Sequence, residues 1–233
     1  MVSRMAQRRE SARKSPTEEY LQRRAQIFDA AARVFHTKGY DSATLADIAQ
    51  LSGTDTASIY YYFESKAEIF REAALDGFID GVRAVCLIAD TAISVEAKIR
   101  EILIVIMETH EKHFPYTYML IRQEVDIDRI SEGDASWRAS LTEWGGRFYD
   151  AVRGVVEDGI REGSLQSQLP PGVLAQTIIG LPSWTFRWFE PASEHYSGEQ
   201  LGEAFAELAL SGMRGPIPKR SSDSRSRDGK TVK

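Results

Sequence analysis

Between Thr44 and Phe70 the chain reads T-L-A-D-I-A-Q-L-S-G-T-D-T-A-S-I-Y-Y-Y-F-E-S-K-A-E-I-F. Two short apolar periodicities meet there at a tight turn. In the first, Thr44 is a good N-cap, Leu45, Ile48 and Ala49 share one helical face, and Gly53 ends the run. In the second, Thr54 and Asp55 offer a fresh cap, and Ile59 and Phe63 point inward four residues apart. Ala57 and Ser58 are small enough for that helix to lie close to a neighbour or a DNA backbone. Three consecutive positions cannot share one helix face, so Tyr60, Tyr61 and Tyr62 must divide between packing and surface. The pattern predicts a helix-turn-helix whose second helix enters the major groove.

Working upstream, Thr17 caps a helix with Glu18 and Glu19 in its first turn. Ile27, Ala30, Ala31, Val34 and Phe35 recur at helical spacing, and Lys38-Gly39 stops the run. This helix braces the other two, and Tyr40 packs back on the module. No Lys or Arg occurs from Asp41 to Phe63. Phosphates would therefore be met by tyrosine hydroxyls and a helix N-terminus, with Lys66, Arg23, Arg24 and the N-terminal arm supplying charge. Thr56 and Ser58 are placed to read base edges or thymine methyl groups.

The run I-A-Q-L-S-G-T-D-T-A-S-I-Y-Y-Y-F-E-S-K-A-E-I-F resembles the N-terminal domain of the TetR family of transcriptional regulators, over about residues 20–70. The resemblance implies that Thr44, Thr56, Ser58, Tyr60, Tyr61, Tyr62 and Lys66 face DNA, while Ile48, Ile59 and Phe63 are core. Asp55 stands where the family often has Ser, and Thr56 where it often has Lys or Arg. The implied fold is all-α, a three-helix DNA-binding domain followed by a helical ligand-binding and dimerisation domain. The corresponding boundaries are a disordered basic arm over 1–16, the helix-turn-helix domain over 17–64, the second domain over 65–213 and a disordered basic tail over 214–233.

The second domain reads as successive amphipathic helices, over about 66–90, 95–113, a shorter one carrying Tyr118 and Arg122, then about 135–161, with Asp134 as a cap and Gly163 as a stop. Pro170-Pro171 opens another, Pro182 predicts a kink within it, and a last helix starts at Ser197-Gly198-Glu199 and ends at Gly212. Met107, Tyr118, Met119, Trp137, Trp144, Phe148 and Tyr149 can enclose an apolar pocket or can be ordinary core. Arg122 and Arg187 can meet an effector's carboxylate or phosphate, or pair with the abundant acids. The candidate ligand residues are thus Met107, Tyr118, Arg122, Trp144, Phe148, Trp184 and Arg187.

In the resembled family the last two helices pair with their copies in a second subunit, which makes Trp184, Trp188, Leu201, Phe205 and Leu208 the candidate dimer interface. The segment from Gly180 to Trp188 also resembles the branch of repressors that respond to acyl-CoA thioesters.

The net charge of -5 is unevenly spread. Residues 1–24 hold Arg4, Arg8, Arg9, Arg13, Lys14, Arg23 and Arg24 against Glu10, Glu18 and Glu19. Residues 214–233 hold Arg214, Lys219, Arg220, Arg225, Arg227, Lys230 and Lys233 against Asp223 and Asp228. An acidic body with basic ends suits a protein that meets a polyanion at its edges, although solvated, disordered ends give the same pattern.

The single cysteine, Cys86, excludes an intrachain disulfide and reads as buried and inert. No apolar run approaches the roughly 20 residues of a membrane span, no signal-peptide pattern is present, and the cytoplasm is the expected location. His110 and His113, three apart on a helix, make an incomplete metal site, so no metal and no cofactor are expected.

No Gly-rich phosphate loop, nucleophile elbow or H-E-x-x-H occurs, so an enzyme is not expected. The expected function is a dimeric, ligand-released repressor with an operator and a small-molecule effector, an acyl-CoA thioester being the candidate. The alternative is a helical interaction or small-molecule-binding protein that has lost DNA binding, which the cation-poor recognition helix keeps open.

Overall fold

The computed structural model describes residue 9 and residues 11–116, 119, 131, 134–191 and 196–213. Its helices are α1 (Glu18–Lys38), α2 (Leu45–Leu51), α3 (Thr56–Tyr62), α4 (Lys66–Ala89), α5 (Val95–Lys112), α6 (Ala135–Glu162), α7 (Pro171–Ser183) and α8 (Gly198–Met213). A 3-10 turn, Trp184–Arg187, follows α7. Among the described residues, no helix is long and apolar enough to cross a membrane.

Caps set most of the boundaries. The Thr17 hydroxyl accepts from the Tyr20 N–H, and Asp134 accepts from the Trp137 N–H. Thr44 and Asp47 form a reciprocal capping box: the Asp47 N–H donates to Thr44 Oγ1 at 3.1 Å, and the Thr44 N–H to Asp47 Oδ2 at 3.0 Å. Gly163 ends α6 in the left-handed region, at φ 81°.

One departure from the sequence reading concerns α7. Pro182 does not kink a continuing helix; α7 stops one residue later and tightens into the 3-10 turn, where Thr185 Oγ1 donates to the Pro182 carbonyl at 2.6 Å. Helix α8 ends at Met213, one residue past the expected Gly212.

One core joins α1–α4 and contains Ile27, Phe35, Ile48, Ile59, Phe63 and Phe70. Fully burying each such side chain contributes about 1.5–3 kcal/mol. This core does not stop at the expected 64/65 boundary: Tyr116, Met119 and Trp137 belong to it as well. A second core joins α4–α8 around Val85, Ile99, Ile102, Leu103, Val155 and Leu210. Helix α4 serves both, with Ile69, Phe70, Ala73 and Ala74 in the first and Val85 in the second.

Helix α8 lies flush on α5 because Gly202 faces the α5 backbone; a Cβ there would sit 2.4 Å from the Ile104 Cα. At its start, the Gly198 N–H donates to Glu111 Oε2 at 2.8 Å. This close contact places two of the expected site residues inside the protein. Leu201, assigned to the dimer interface, is only 8% exposed and packs inward against Met107 and Phe189. Met107, assigned to ligand, is 0% exposed in that same cluster and is core. Cys86, expected to be buried, is half-buried.

Candidate nucleic-acid interface and effector-domain surface

Helix α3 is presented by its cap and by two buried anchors. The Ser58 N–H donates to Asp55 Oδ1 at 2.7 Å, and the Ser58 hydroxyl to Asp55 Oδ2 at 2.9 Å. Those donors hold the Asp55 carboxyl below its ordinary range. Ile59 and Phe63 are fully buried and fix which face turns outward.

The outward surface carries Ala57 and Tyr60, with Thr56, Ser58, Tyr61 and Tyr62 half-buried. Gln50 of α2 is also exposed, a position the sequence reading did not single out. Tyr62 leans on Tyr20 of α1, ring centroids 5.1 Å apart, and Tyr61 meets both Tyr20 and Tyr62 edge-on. Burial raises the Tyr62 hydroxyl's pKa. The three tyrosines therefore divide between surface and packing.

The cations expected to serve DNA are mostly committed inside the protein. Lys66 Nζ donates to the carbonyls of Tyr40, Asp41 (3.2 Å) and Ala43 (2.9 Å), and lies 4.4 Å from the Tyr40 ring centroid. It pins the loop that delivers Thr44, whose hydroxyl is itself committed to the capping box. Arg24 pairs with Glu72, donates to the Tyr62 carbonyl at 3.3 Å and sits 4.3 Å from the Phe63 ring centroid. Arg23 donates to the neutral Gln26 amide at 2.9 Å.

The arm departs from expectation as well. Residues 11–14 are helical, Arg13 pairs with Glu68 and Glu72, and Arg9 pairs with Glu64. The cause is a row of acids four residues apart along one face of α4 and the residue leading into it. That spacing, opposite a basic segment, is the signal in the sequence that would have found the contact.

Lys66 yields a direct test. Lys66→Met removes a donor from three backbone carbonyls and should destabilise the protein by about 1–3 kcal/mol. It should also weaken DNA binding while leaving the slope of log affinity against log salt unchanged. A phosphate contact would instead flatten that slope by about one unit on mutation, and such flattening would refute the pinning role.

Contact between the two cores runs through the segment after α5. Tyr116 Oη donates to the Phe28 carbonyl of α1 at 2.8 Å, and its ring meets Phe35 and Phe70. His36 of α1 meets the Phe114 ring, centroids 5.0 Å apart, and lies 3.4 Å from Glu190. Trp137 Nε1 donates to the Arg71 carbonyl of α4 at 2.9 Å, so Trp137 is core.

Among the remaining candidate ligand residues, Tyr118 and Arg122 lie outside the described residues. Phe148 is half-buried against the second core. Trp144 is half-buried, with the Arg147 and Arg83 guanidiniums 4.2 Å and 5.3 Å from its ring centroid. Arg187 lies 4.5 Å from the ring centroid of Trp184. Of the candidate interface residues, Trp184 (60%), Trp188 (52%) and Leu208 (66%) are exposed, while Phe205 is half-buried and packs on the cores of its own chain. His110 is buried, which holds its imidazole neutral with a pKa of about 4. Among the described residues, no group of three or more His, Cys, Asp or Glu could hold a metal ion.

A capped recognition helix on a three-helix module, joined by a shared α4 to an all-helical body, defines the class of helix-turn-helix DNA-binding regulators. Residues 27–73 match the model for bacterial regulatory proteins of the tetR family, and residues 92–213 match that for the tetracyclin repressor-like C-terminal domain. The chain belongs to the TetR family of transcriptional regulators. It is 25% identical over 201 residues to the HTH-type transcriptional repressor KstR2 of Rhodococcus jostii, covering 83% of this chain and 92% of that protein.

Two solved structures share the fold. The ketosteroid transcriptional regulator KstR2 of Mycobacterium tuberculosis superposes with a TM-score of 0.70 at 22% identity, over 83% of this chain and 96% of that one. FadR from Bacillus subtilis, in complex with stearoyl-CoA, gives 0.61 at 19% identity, over 81% and 98%.

Proposed function

We propose that the protein is a dimeric repressor that binds a two-fold operator through α3 and is released by an acyl-CoA thioester. The observation that carries this reading is the shared helix α4. It holds the DNA-binding core at one end and the effector-domain core at the other, so a change in one core tilts the other. Release requires the effector to bind the conformer whose two α3 helices no longer sit about 34 Å apart, the spacing of successive major grooves.

The second subunit docks through the exposed Trp184, Trp188 and Leu208. Residues 17–64 act as the DNA-reading unit and 65–213 as the sensing unit, with α4 common to both. Thr56 and Ser58 read bases, Tyr60, Tyr61 and Tyr62 meet phosphates, and Arg23 adds charge beside them. The protein works on DNA in the cytoplasm and catalyses no reaction. Acyl-CoA is favoured by the fold shared with FadR of Bacillus subtilis, which was solved in complex with stearoyl-CoA.

The test is an electrophoretic shift assay on the DNA upstream of the protein's own gene, run across salt concentrations and a panel of acyl-CoA thioesters. Sequence-specific, salt-sensitive binding weakened by at least one thioester is expected. Binding that no thioester weakens removes the acyl-CoA effector. Absence of specific binding removes the repressor.

A further inference from the structure

We infer that Arg83, Trp144 and Arg147 form a phosphate-binding clamp between α4 and α6 that takes the phosphorylated end of the effector. The inference rests on the acyl-CoA reading above and deepens it.

Arg83 comes from α4, and Trp144 and Arg147 come from α6. Both guanidiniums lie over the same indole, at 5.3 Å and 4.2 Å from its centroid. Carboxylates stand one helical turn away from each arginine, Asp80 on α4 and Glu143 and Asp150 on α6. Among the described residues, neither arginine forms an ion pair with any of them; Asp80 is taken by Lys112 and His113, and the acid influence on Arg83 is the electrostatic one of Asp76, also on α4. Other arginines of the protein do take acids within helical reach, as Arg153 takes Glu157 and Arg161 takes Asp158. At Trp144 two like charges instead converge on one ring, both side chains being exposed.

Two exposed guanidiniums gathered at one indole match a phosphate or pyrophosphate, which accepts several charge-assisted hydrogen bonds at once. The surface beside them is open: a Cβ added at Gly145 or Gly146 would meet nothing within 4 Å. The location suits coupling. An anion bridging Arg83 to Arg147 ties α4, which carries the DNA-binding core, to α6 of the sensing body. A ligand held there favours one setting of α4 over another.

Isothermal titration with free coenzyme A and with inorganic pyrophosphate tests the clamp in the full chain. Wild type should bind coenzyme A. Arg83→Gln and Arg147→Gln should each weaken it about tenfold, and the double variant should weaken it further and abolish pyrophosphate binding. Arg83→Lys, which keeps charge but loses the fork, should fall between.

Equal coenzyme A affinity in wild type and the double variant overturns the clamp, as does failure of wild type to bind either probe. The shift assay separates the two readings. Arginine-dependent binding of coenzyme A without release of DNA by any thioester supports the clamp and removes the acyl-CoA effector. Equal release of wild type and double variant by an acyl-CoA removes the clamp and keeps the effector.

Discussion

Replacing Gly202 with alanine is expected to lower stability by about 3 kcal/mol, a fall of roughly 6–12 °C in melting temperature for a chain of this size. Alanine normally stabilises a helix by up to about 1 kcal/mol over glycine, so the sign itself is informative. At position 202 the added carbon would lie 2.4 Å from the Ile104 Cα, 2.8 Å from its nitrogen and 2.9 Å from the Leu103 carbonyl oxygen. All three are backbone atoms of α5, which no rotamer change can move. Helix α8 must lift, and with it go the contacts of Leu201 to Met107 and Phe189 and those of Ala206 and Leu210 in the second core.

The same lift displaces the exposed Leu208 on the outer side of α8, so the proposed dimer should dissociate more readily in this variant. Gly154→Ala supplies the control. A Cβ there meets nothing within 4 Å, and that variant should be as stable as wild type or slightly more so. Thermal unfolding of both proteins decides the matter. A Gly202→Ala protein that melts at or above the wild-type temperature would remove the close α5–α8 contact from the account.

Gly202 also marks where the sequence stopped being legible. The helices of the DNA-binding module could be read because their signals are local. Thr44 and Asp47, or Asp55 and Ser58, lie three residues apart, and a cap depends on little else. The inward faces of α1 and α3 followed from spacing for the same reason. On α8 the larger apolar residues suggested one face through Leu201, Phe205 and Leu208, yet the buried face runs through Gly198, Leu201, Gly202, Ala206, Leu210 and Met213 and leaves Leu208 exposed. Apolar periodicity finds a stripe but cannot say that the smallest residues lie closest to a neighbour.

The roles of the cations were illegible because their partners are distant. Lys66 reaches carbonyls 23 to 26 residues back, Arg24 reaches an acid 48 residues on, and Arg13 reaches acids 55 and 59 residues on. A family position names the residue, whereas only the packing of α1 against α4 decides whether its charge points outward to DNA or inward to a carboxylate.

Arg24→Met should cost about 3 kcal/mol at neutral pH, because removing one member of a largely covered pair leaves Glu72 with Arg13 as its one remaining cation among the described residues. Arg24 and Glu72 are largely covered, with side-chain exposures of 12% and 22%. Burial holds the Glu72 carboxyl above the ordinary carboxylate range even with Arg24 and Arg13 beside it. Without Arg24 it should rise further. A carboxyl whose folded pKa exceeds its unfolded one binds its proton more tightly in the folded state. Its contribution is therefore most favourable below the unfolded value and is lost as pH climbs through the folded one.

The deficit of the variant should accordingly be small near pH 4, where Glu72 is neutral in both proteins, and should grow toward pH 7. Glu72→Gln in the Arg24→Met background should recover part of the neutral-pH loss by removing a covered charge that Arg13 alone offsets. Operator affinity should fall in Arg24→Met, since the guanidinium also holds the Tyr62 carbonyl and covers the Phe63 ring at the end of α3. The slope of affinity against salt should stay constant, because an arginine spent on Glu72 releases no counterion from DNA. Urea melts at pH 4 and pH 7 for the single and double variants, with shift assays across salt, measure each part. An equal deficit at both pH values, or a salt slope flattened by about one unit, would return Arg24 to the phosphate backbone and leave Glu72 to Arg13 alone.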